Sequence, residues 1–561
     1  PLQNLQPAEV GFGIADATDL TALRRWIIRP DLARDDPFGN PTVFANMHAP
    51  RAGLDTVIGK TGPEDPDLSV ISVRREDGSP LALLGNFSMH YFGDTDISAD
   101  YFGLYAEGLK QRLAPDDPEF LAWMSHGCSG DIWRRDYELP EAEQAQPDQI
   151  EAYADALIEK TLEATDQIDH HRPESIAMIE RRMELDYRTP NTQLLEWAER
   201  IVEEMGDRLP ETQPEIYARE QLMLHERQQT EIVIQALRIG NEIAIATTPN
   251  ETYAITGLKI KAASPIENIQ VIELANGGDG YIPPPEQHLL GGYNTWAARS
   301  AGLEILAEPK ITEAAIELLE TITGSDRADR RPEQGPAVAA IESLSPLAYY
   351  RLDEFSGPRA LDASANQLDA FYEPRVLFYL PGPEALPFVE SGRNRSAHFA
   401  GDRLVARLAT LGREYSLSLW FWNGMPDGIR EETGWIFARD RDHGTRPSEA
   451  VGIGGTGTAA GQLVFRSGGL PDRVLAGQPV QRWHWHHLGF VRTKGRADVF
   501  LDGKTLGTIE LDESSALASD TLFFAGLGSR VANFAGRLDE VAVFDRALSA
   551  DEIAGLAGPK N

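Results

Sequence analysis

The sequence predicts a multidomain protein: an α/β or α+β region over residues 1–323, a linker over 324–344, and an all-β sandwich over 345–561. Three observations carry this. Apolar residues recur three and four apart in FGLYAEGLKQRL and IEAYADALIEKTLEAT, while ALLGNFSM is a short continuous apolar run, so helices and buried strands alternate in the first half. TGSDRADRRPEQGPAVAAIESLS is charged and rich in Gly and Pro, which is linker chemistry. Beyond it, short alternating strands follow one another with turn residues between them.

The chain of 561 residues exceeds what one ordinary core organises. At 42% hydrophobic and 25% charged residues it has the composition of a folded globular protein. Its formal net charge of -35 supplies no general basic face, which argues against a nucleic-acid partner. The single cysteine, Cys128, excludes an intramolecular disulfide. No apolar run reaches the roughly 18 residues of a spanning helix. The chain opens on Pro1, so a processed chain or a fragment is expected, with any leader lying before it.

In order, ALLGNFSM is a strand ending near His90, and NTQLLEWAERIVEEMG and PEIYAREQLMLHERQQ are charged helices. TEIVIQALRIGNEIAIATTP reads as two strands joined at Gly240-Asn241. In the second half LAYYRLDE, YSLSLWFW, GWIFARD, GQLVFRSG, WHHLGFVR, ADVFLDGKTLGTIEL, TLFFAGLG and LDEVAVFDR are strands. The closing helix SADEIAGLAG carries a capping box, Ser549 with Glu552. This half is expected to fold alone. Trp420, Trp422, Trp483 and Trp485 fall within strands, on a face that is either core or a sugar-stacking surface.

The chemistry-bearing candidates cluster at strand ends, where α/β folds place their sites. His90 follows a buried strand and precedes GDTDISAD. Glu251 follows EIAIATTP, Tyr281 leads a rigid proline run, Tyr293 follows a Gly-Gly pair, and Asp131 lies in the Gly-rich turn SHGCSGDIWRR. Each alone has a plain structural reading: a core histidine, a helix-capping glutamate, surface tyrosines, a turn aspartate. His170 and His171 are expected in solvent, and His225 as a surface or core residue. In WHWHHL, strand alternation sends His487 to the face opposite His484 and His486, against a metal triplet.

Taken together, MHYFGDTDISAD, the G-D turn, PNETYAITG and the block in which Tyr281 and Tyr293 stand twelve residues apart resemble the neutral, non-lysosomal ceramidase family over most of residues 1–323. The resemblance implies a zinc amidase that cleaves the N-acyl bond of ceramide or a related lipid. It implies His90, Glu251 and Tyr281 as zinc ligands, Tyr293 holding the reacting carbonyl, and Arg24 and Asp131 in the same site. AYYRLDE with DASAN, YSLSLWFW, WHHLGFVRTKGRADVFLDGK and GRLDEVAVFDRALSADEI resemble the laminin-G-like, concanavalin A-like jelly roll. Such modules bind glycans, proteins or calcium, so a surface glycan is the implied partner and calcium a candidate ion of this domain. A secreted or periplasmic location is expected.

The chain departs from the family at two points. A His-rich T-H-T-H segment that gives the family another zinc ligand is not present and is expected upstream of Pro1; His48 in FANMHAPRAG is a poor substitute. Where the family has a catalytic serine, this chain has Trp133, whose indole can neither activate water nor replace a hydroxyl. Two readings follow: a zinc hydrolase with an altered substrate, and a catalytically inactive scaffold for a glycan-binding sandwich.

Overall fold

The apolar run from Pro80 to Phe87 becomes the third strand of a four-stranded sheet ordered Ala8–Asp16, Asp67–Arg75, Pro80–Phe87, Leu121–His126 in a computed structural model of the chain. The structure describes residues 5–139, 149–441, 443, 444, 447–457, 459–468, 471–475, 477–511 and 519–558. The last two strands of this sheet run parallel, with Phe87 opposite His126. The crossover between them is the helix Asp100–Leu113. That helix and Ile150–Thr165 cover one face, burying Tyr101, Tyr105, Leu109, Tyr153 and Leu157 against Leu83, Phe87 and Met124.

A second four-stranded sheet is ordered Ile176–Asp186, Gln229–Ile239, Ile243–Thr247, Asn268–Ile272, and its last pair is also parallel. The connection is the helix Ala254–Ala263, which follows Glu251 as the sequence predicts. Gly240, at φ 58, takes the left-handed turn between the two antiparallel strands. The helix Ala307–Thr323 lies over this sheet, with Ile311, Ala315, Leu318 and Leu319 in the core. The remaining faces of the two sheets meet through Ile71, Ile243 and Ile245, with Val10, Phe12, Leu84 and Leu237 packed around them. The unit therefore has four layers, helix, sheet, sheet, helix. This explains why PLALLGNF is apolar without alternation: one face meets helices and the other a sheet.

The chain divides into two compact units, and each is described by itself. The first comprises Pro1–Trp26, Ala33–Arg51 and Glu64–Arg330; the second Ile27–Leu32, Ala52–Pro63 and Arg331–Asn561. The second unit is a sandwich of two eight-stranded sheets. All eight sequence-predicted strand segments form strands in it. The helix Ala550–Ala557 has its capping box, Ser549 accepting from the Glu552 amide. Its Ile553 and Leu556 share a cluster with Trp420, Phe544, Val338 and Ile341.

Three expectations shift here. Residues 336–343 are a helix rather than linker, because PAVAAIES buries Val338 and Ile341 on the sandwich. The unit also takes in Ala52–Pro63, held by Arg482, which donates to the carbonyl oxygens of Leu54 at 3.0 Å, Val57 at 2.5 Å and Gly424 at 2.9 Å. Trp483 lies before its strand, which begins at Trp485, with φ 61, and stacks on Trp422 at 6.2 Å. Trp420 and Trp422 are core. His487 is buried with Nε2 2.8 Å from Ser418 Oγ, whereas His486 meets Asp502 at 2.9 Å, so the histidines do separate as alternation requires.

Candidate active site

The C-terminal ends of the two parallel pairs lie side by side. The Glu273 amide donates to His126 O at 3.1 Å, and Asn86 Nδ2 reaches Val271 O at 3.3 Å. Both strand pairs thus end at one edge, which is where open α/β sheets place ligands. His90 follows Phe87 by one short turn, and Glu251 follows Thr247 in the same way.

Glu251 and Tyr281 are register partners in a two-stranded parallel ladder, Glu251–Thr252 with Tyr281–Ile282. The turn SHGCSGD packs on this ladder: the Gly130 amide donates to Thr252 O at 2.8 Å, and a Cβ at Gly130 would come within 2.6 Å of Glu251 O. Only glycine allows that approach. Arg24 adjoins the strand Ala22–Leu23, which pairs with Ile132–Trp133. Its Nη2 donates to Gly130 O at 2.9 Å and lies 3.4 Å from Tyr281 Oη and 3.8 Å from Glu251 Oε2. Arg24 is 3% exposed and its Nε is buried without a hydrogen-bond partner. The Tyr281 and Tyr293 rings meet edge to face at 5.7 Å.

Four sequence-predicted residues, Arg24, Glu251, Tyr281 and Tyr293, therefore form one cluster. Burial raises the pKa of Glu251, opposed by Arg24. Burial also raises the Tyr281 phenol, again against Arg24, so it holds its proton. His90 stacks on Tyr91 at 4.3 Å and lies 5.5 Å from the Trp133 ring. Its Nδ1 is 2.9 Å from Tyr91 O; a proton there leaves the Nε2 lone pair free. Burial first, then Arg24, lowers its pKa to about 4.

Asp131 sits beside the cluster but works at a helix start. Its Oδ1 accepts from the Ala254 amide at 2.9 Å, its Oδ2 is buried without a partner, and burial pushes its pKa up to about 7. Trp133 contacts two imidazoles, with ring centroids 5.5 Å from His48 and 5.5 Å from His90. His48 is thus nearer the site than its sequence context suggests. Its φ of 55 and its 2.9 Å contact with Tyr137 Oη set the ring, and no motif marks it.

Sequence reasoning also missed His126 and Glu273. Ser129 donates its hydroxyl to buried Glu273, and His126 Nδ1 lies 3.4 Å from Ser129 Oγ and 3.9 Å from Glu273. Their adjacency arises between two strand ends, and only the apolar runs before each residue hint at it. Ser129 is engaged in this buried network. Cys128 is buried beside Thr252, and burial raises its thiol pKa far above the reactive range.

Glu251, Tyr281 and His90 offer a carboxylate, a phenol and an imidazole, donors that suit zinc. Among the described residues no three His, Cys, Asp or Glu side chains cluster closely enough to hold a metal. A set with one imidazole, one carboxylate and one phenol contains only two of those types. By donor chemistry the residues fit, with Arg24 sharing two of the three.

Residues 400–554 match the concanavalin A-like lectin/glucanases superfamily, of laminin G type. Neutral ceramidase from Pseudomonas aeruginosa matches at 13% identity over 91% of this chain and 78% of that chain, with a TM-score of 0.39. Domain 4 of the extracellular arabinanase AbnA from Geobacillus stearothermophilus, in complex with arabinotriose, matches at 16% identity over 38% of this chain and 98% of that chain, with a TM-score of 0.27. No curated protein matches. Among the described residues no helix is long and apolar enough to cross a membrane.

Proposed function

We propose that the first unit is a ceramidase-like hydrolase that cleaves an N-acyl amide. One observation carries this reading: Arg24, Glu251, Tyr281 and Tyr293 converge, with Arg24 Nη2 3.4 Å from Tyr281 Oη and 3.8 Å from Glu251 Oε2 and the two tyrosine rings in contact. In the reaction one water is consumed. Its hydroxyl joins the acyl carbon, the C–N bond breaks, and the amine nitrogen takes the proton, giving a fatty acid and a free amine. Zinc held by His90, Glu251 and Tyr281 would supply Lewis acidity and lower the pKa of bound water towards ~7. Arg24 brings fixed positive charge beside the ligands, and the Tyr293 hydroxyl can donate to the carbonyl oxygen as charge develops on it. Fatty-acid release from ceramides and N-acyl amino compounds by the zinc-loaded protein tests this. Background release from every substrate rejects it.

For the sandwich we propose attachment to a surface glycan, with calcium as its candidate ion and a secreted or periplasmic setting. The match of residues 400–554 to a lectin-containing superfamily supports it. The second reading, an inactive scaffold, is favoured by one feature: the Trp133 indole, in ring contact with His48 and His90, stands where the family resemblance calls for a serine.

A further inference from the structure

The chain carries 87 acidic and 52 basic residues, yet three guanidinium groups, those of Arg24, Arg51 and Arg134, stand around this site. Arg134 lies over the Trp133 ring at 4.3 Å and over Phe92 at 3.9 Å. Arg51 donates through Nε to Tyr137 Oη at 3.3 Å, and the same hydroxyl is 2.9 Å from His48 Nδ1. Among the described residues no carboxylate pairs with Arg51, which is exposed. Behind them Arg24, almost fully buried, keeps an unpartnered Nε and meets its nearest carboxylate, Glu251, only at 3.8 Å. Burial first, then Arg51 and Arg24, lowers the His48 pKa to about 3. Guanidinium groups recognise carboxylate and phosphate through paired donors. The neutral alcohols of ceramide offer them only single, uncharged acceptors.

We propose that the amide taken by this site carries an anion on its amine side, as the carboxylate of an N-acyl amino acid does, seated between Arg51 and the Trp133–Arg134 pair. This rests on the hydrolase reading above. Trp133 then has a positive role: its ring walls the anion pocket and supports Arg134 from beneath. A phosphorylated ceramide presents the same chemistry from a different source.

The test compares N-lauroylglycine, a phosphorylated ceramide and a neutral ceramide of matched acyl length. It follows kcat/KM by fatty-acid release and binding by calorimetry, for the wild-type protein and for Arg51→Gln, Arg134→Gln and Arg51→Lys. An anionic substrate is expected to exceed neutral ceramide by about tenfold or more, with KM for it rising about tenfold in Arg51→Gln and recovering in part in Arg51→Lys. Preference for N-lauroylglycine identifies a carboxylate; preference for the phosphorylated ceramide identifies a phosphate, and either supports the proposal. Equal turnover of neutral and anionic substrates, or a preference unchanged in both glutamine variants, overturns it and leaves the hydrolase reading standing. Binding of N-lauroylglycine that Arg51→Gln weakens, without release of fatty acid from any substrate, supports the anion site and rejects the hydrolase. No release and no binding reject both.

Discussion

Glu251 and Tyr281 face one another across a parallel ladder two residues long, and a single guanidinium, that of Arg24, lies within 3.8 Å of both. Two oxygens of different acidity are thereby held side by side at the joint edge of two sheets. Glu251 and Tyr281 would have to share these oxygens between a metal and the Arg24 guanidinium, which would weaken their hold on it.

The full-length protein is expected to bind about one zinc per chain. Elemental analysis after dialysis checks this, and combined replacement of His90, Glu251 and Tyr281 by alanine should abolish it. Full zinc content in that triple variant would place the metal elsewhere.

Removing the Tyr293 hydroxyl should slow amide hydrolysis by roughly 10²-fold with little change in KM, the pattern of a donor that acts on developing charge. Tyr293→Phe keeps the ring that meets Tyr281, so loss of packing does not confuse the result.

Trp133→Ser should raise turnover of neutral ceramide while lowering stability, since the ring contacts with His48 and His90 are lost. No rise in a variant that still folds would show that Trp133 does not limit access to ceramide.

Asp131 gives a pH dependence of defined sign. Its folded pKa, about 7, lies above the ordinary carboxylate value, so the folded chain binds this proton more tightly than the unfolded chain. Its contribution is fully present below about pH 4 and is lost as pH rises through 7. Asp131→Asn keeps an oxygen for the Ala254 amide and should flatten that slope, raising stability at pH 8 by roughly 2–4 kcal/mol. Chemical denaturation from pH 5 to 8 measures it. Parallel curves for the two proteins would mean that the aspartate ionises normally.

A protein starting at residue 345 should unfold at lower denaturant than one starting at 331, because it lacks the helix that buries Val338 and Ile341. Burying two such side chains is worth about 3 kcal/mol or more. Coincident transitions would show that the helix adds nothing.

Much of the fold could be read from pattern. IEAYADALIEKTLEAT has the apolar spacing of the helix it forms, and the Gly-Asn turn lies where two strands reverse. The unalternating run before His90 requires a sheet covered on both faces, and the second sheet supplies the other cover. Glu251, Tyr281 and Tyr293 could be singled out because each sits in a segment with its own turn or proline signature, and the structure brings them together with Arg24. His48, His126 and Glu273 could not. Their nearness depends on which strand ends adjoin, and local spacing holds no record of that. The role of TVIGK was equally hidden, since its partner Arg482 lies more than 400 residues away in sequence. Trp483 misled because alternation expects extended backbone, whereas it takes φ 61.

The bond from Arg482 to Leu54 spans 428 positions. On a ribosome adding about 5–20 residues per second, the segment Ala52–Pro63 therefore waits roughly 20 to 90 seconds for the strands that receive it. In that interval it is tethered on both sides to a unit whose own layers can already close. The nascent chain must keep four apolar or small residues, Val57 to Gly59 and Ala52, from binding elsewhere. Slower elongation before residue 482 lengthens this exposure, so yield of soluble protein should depend on translation speed and chaperone supply even where the finished fold is stable.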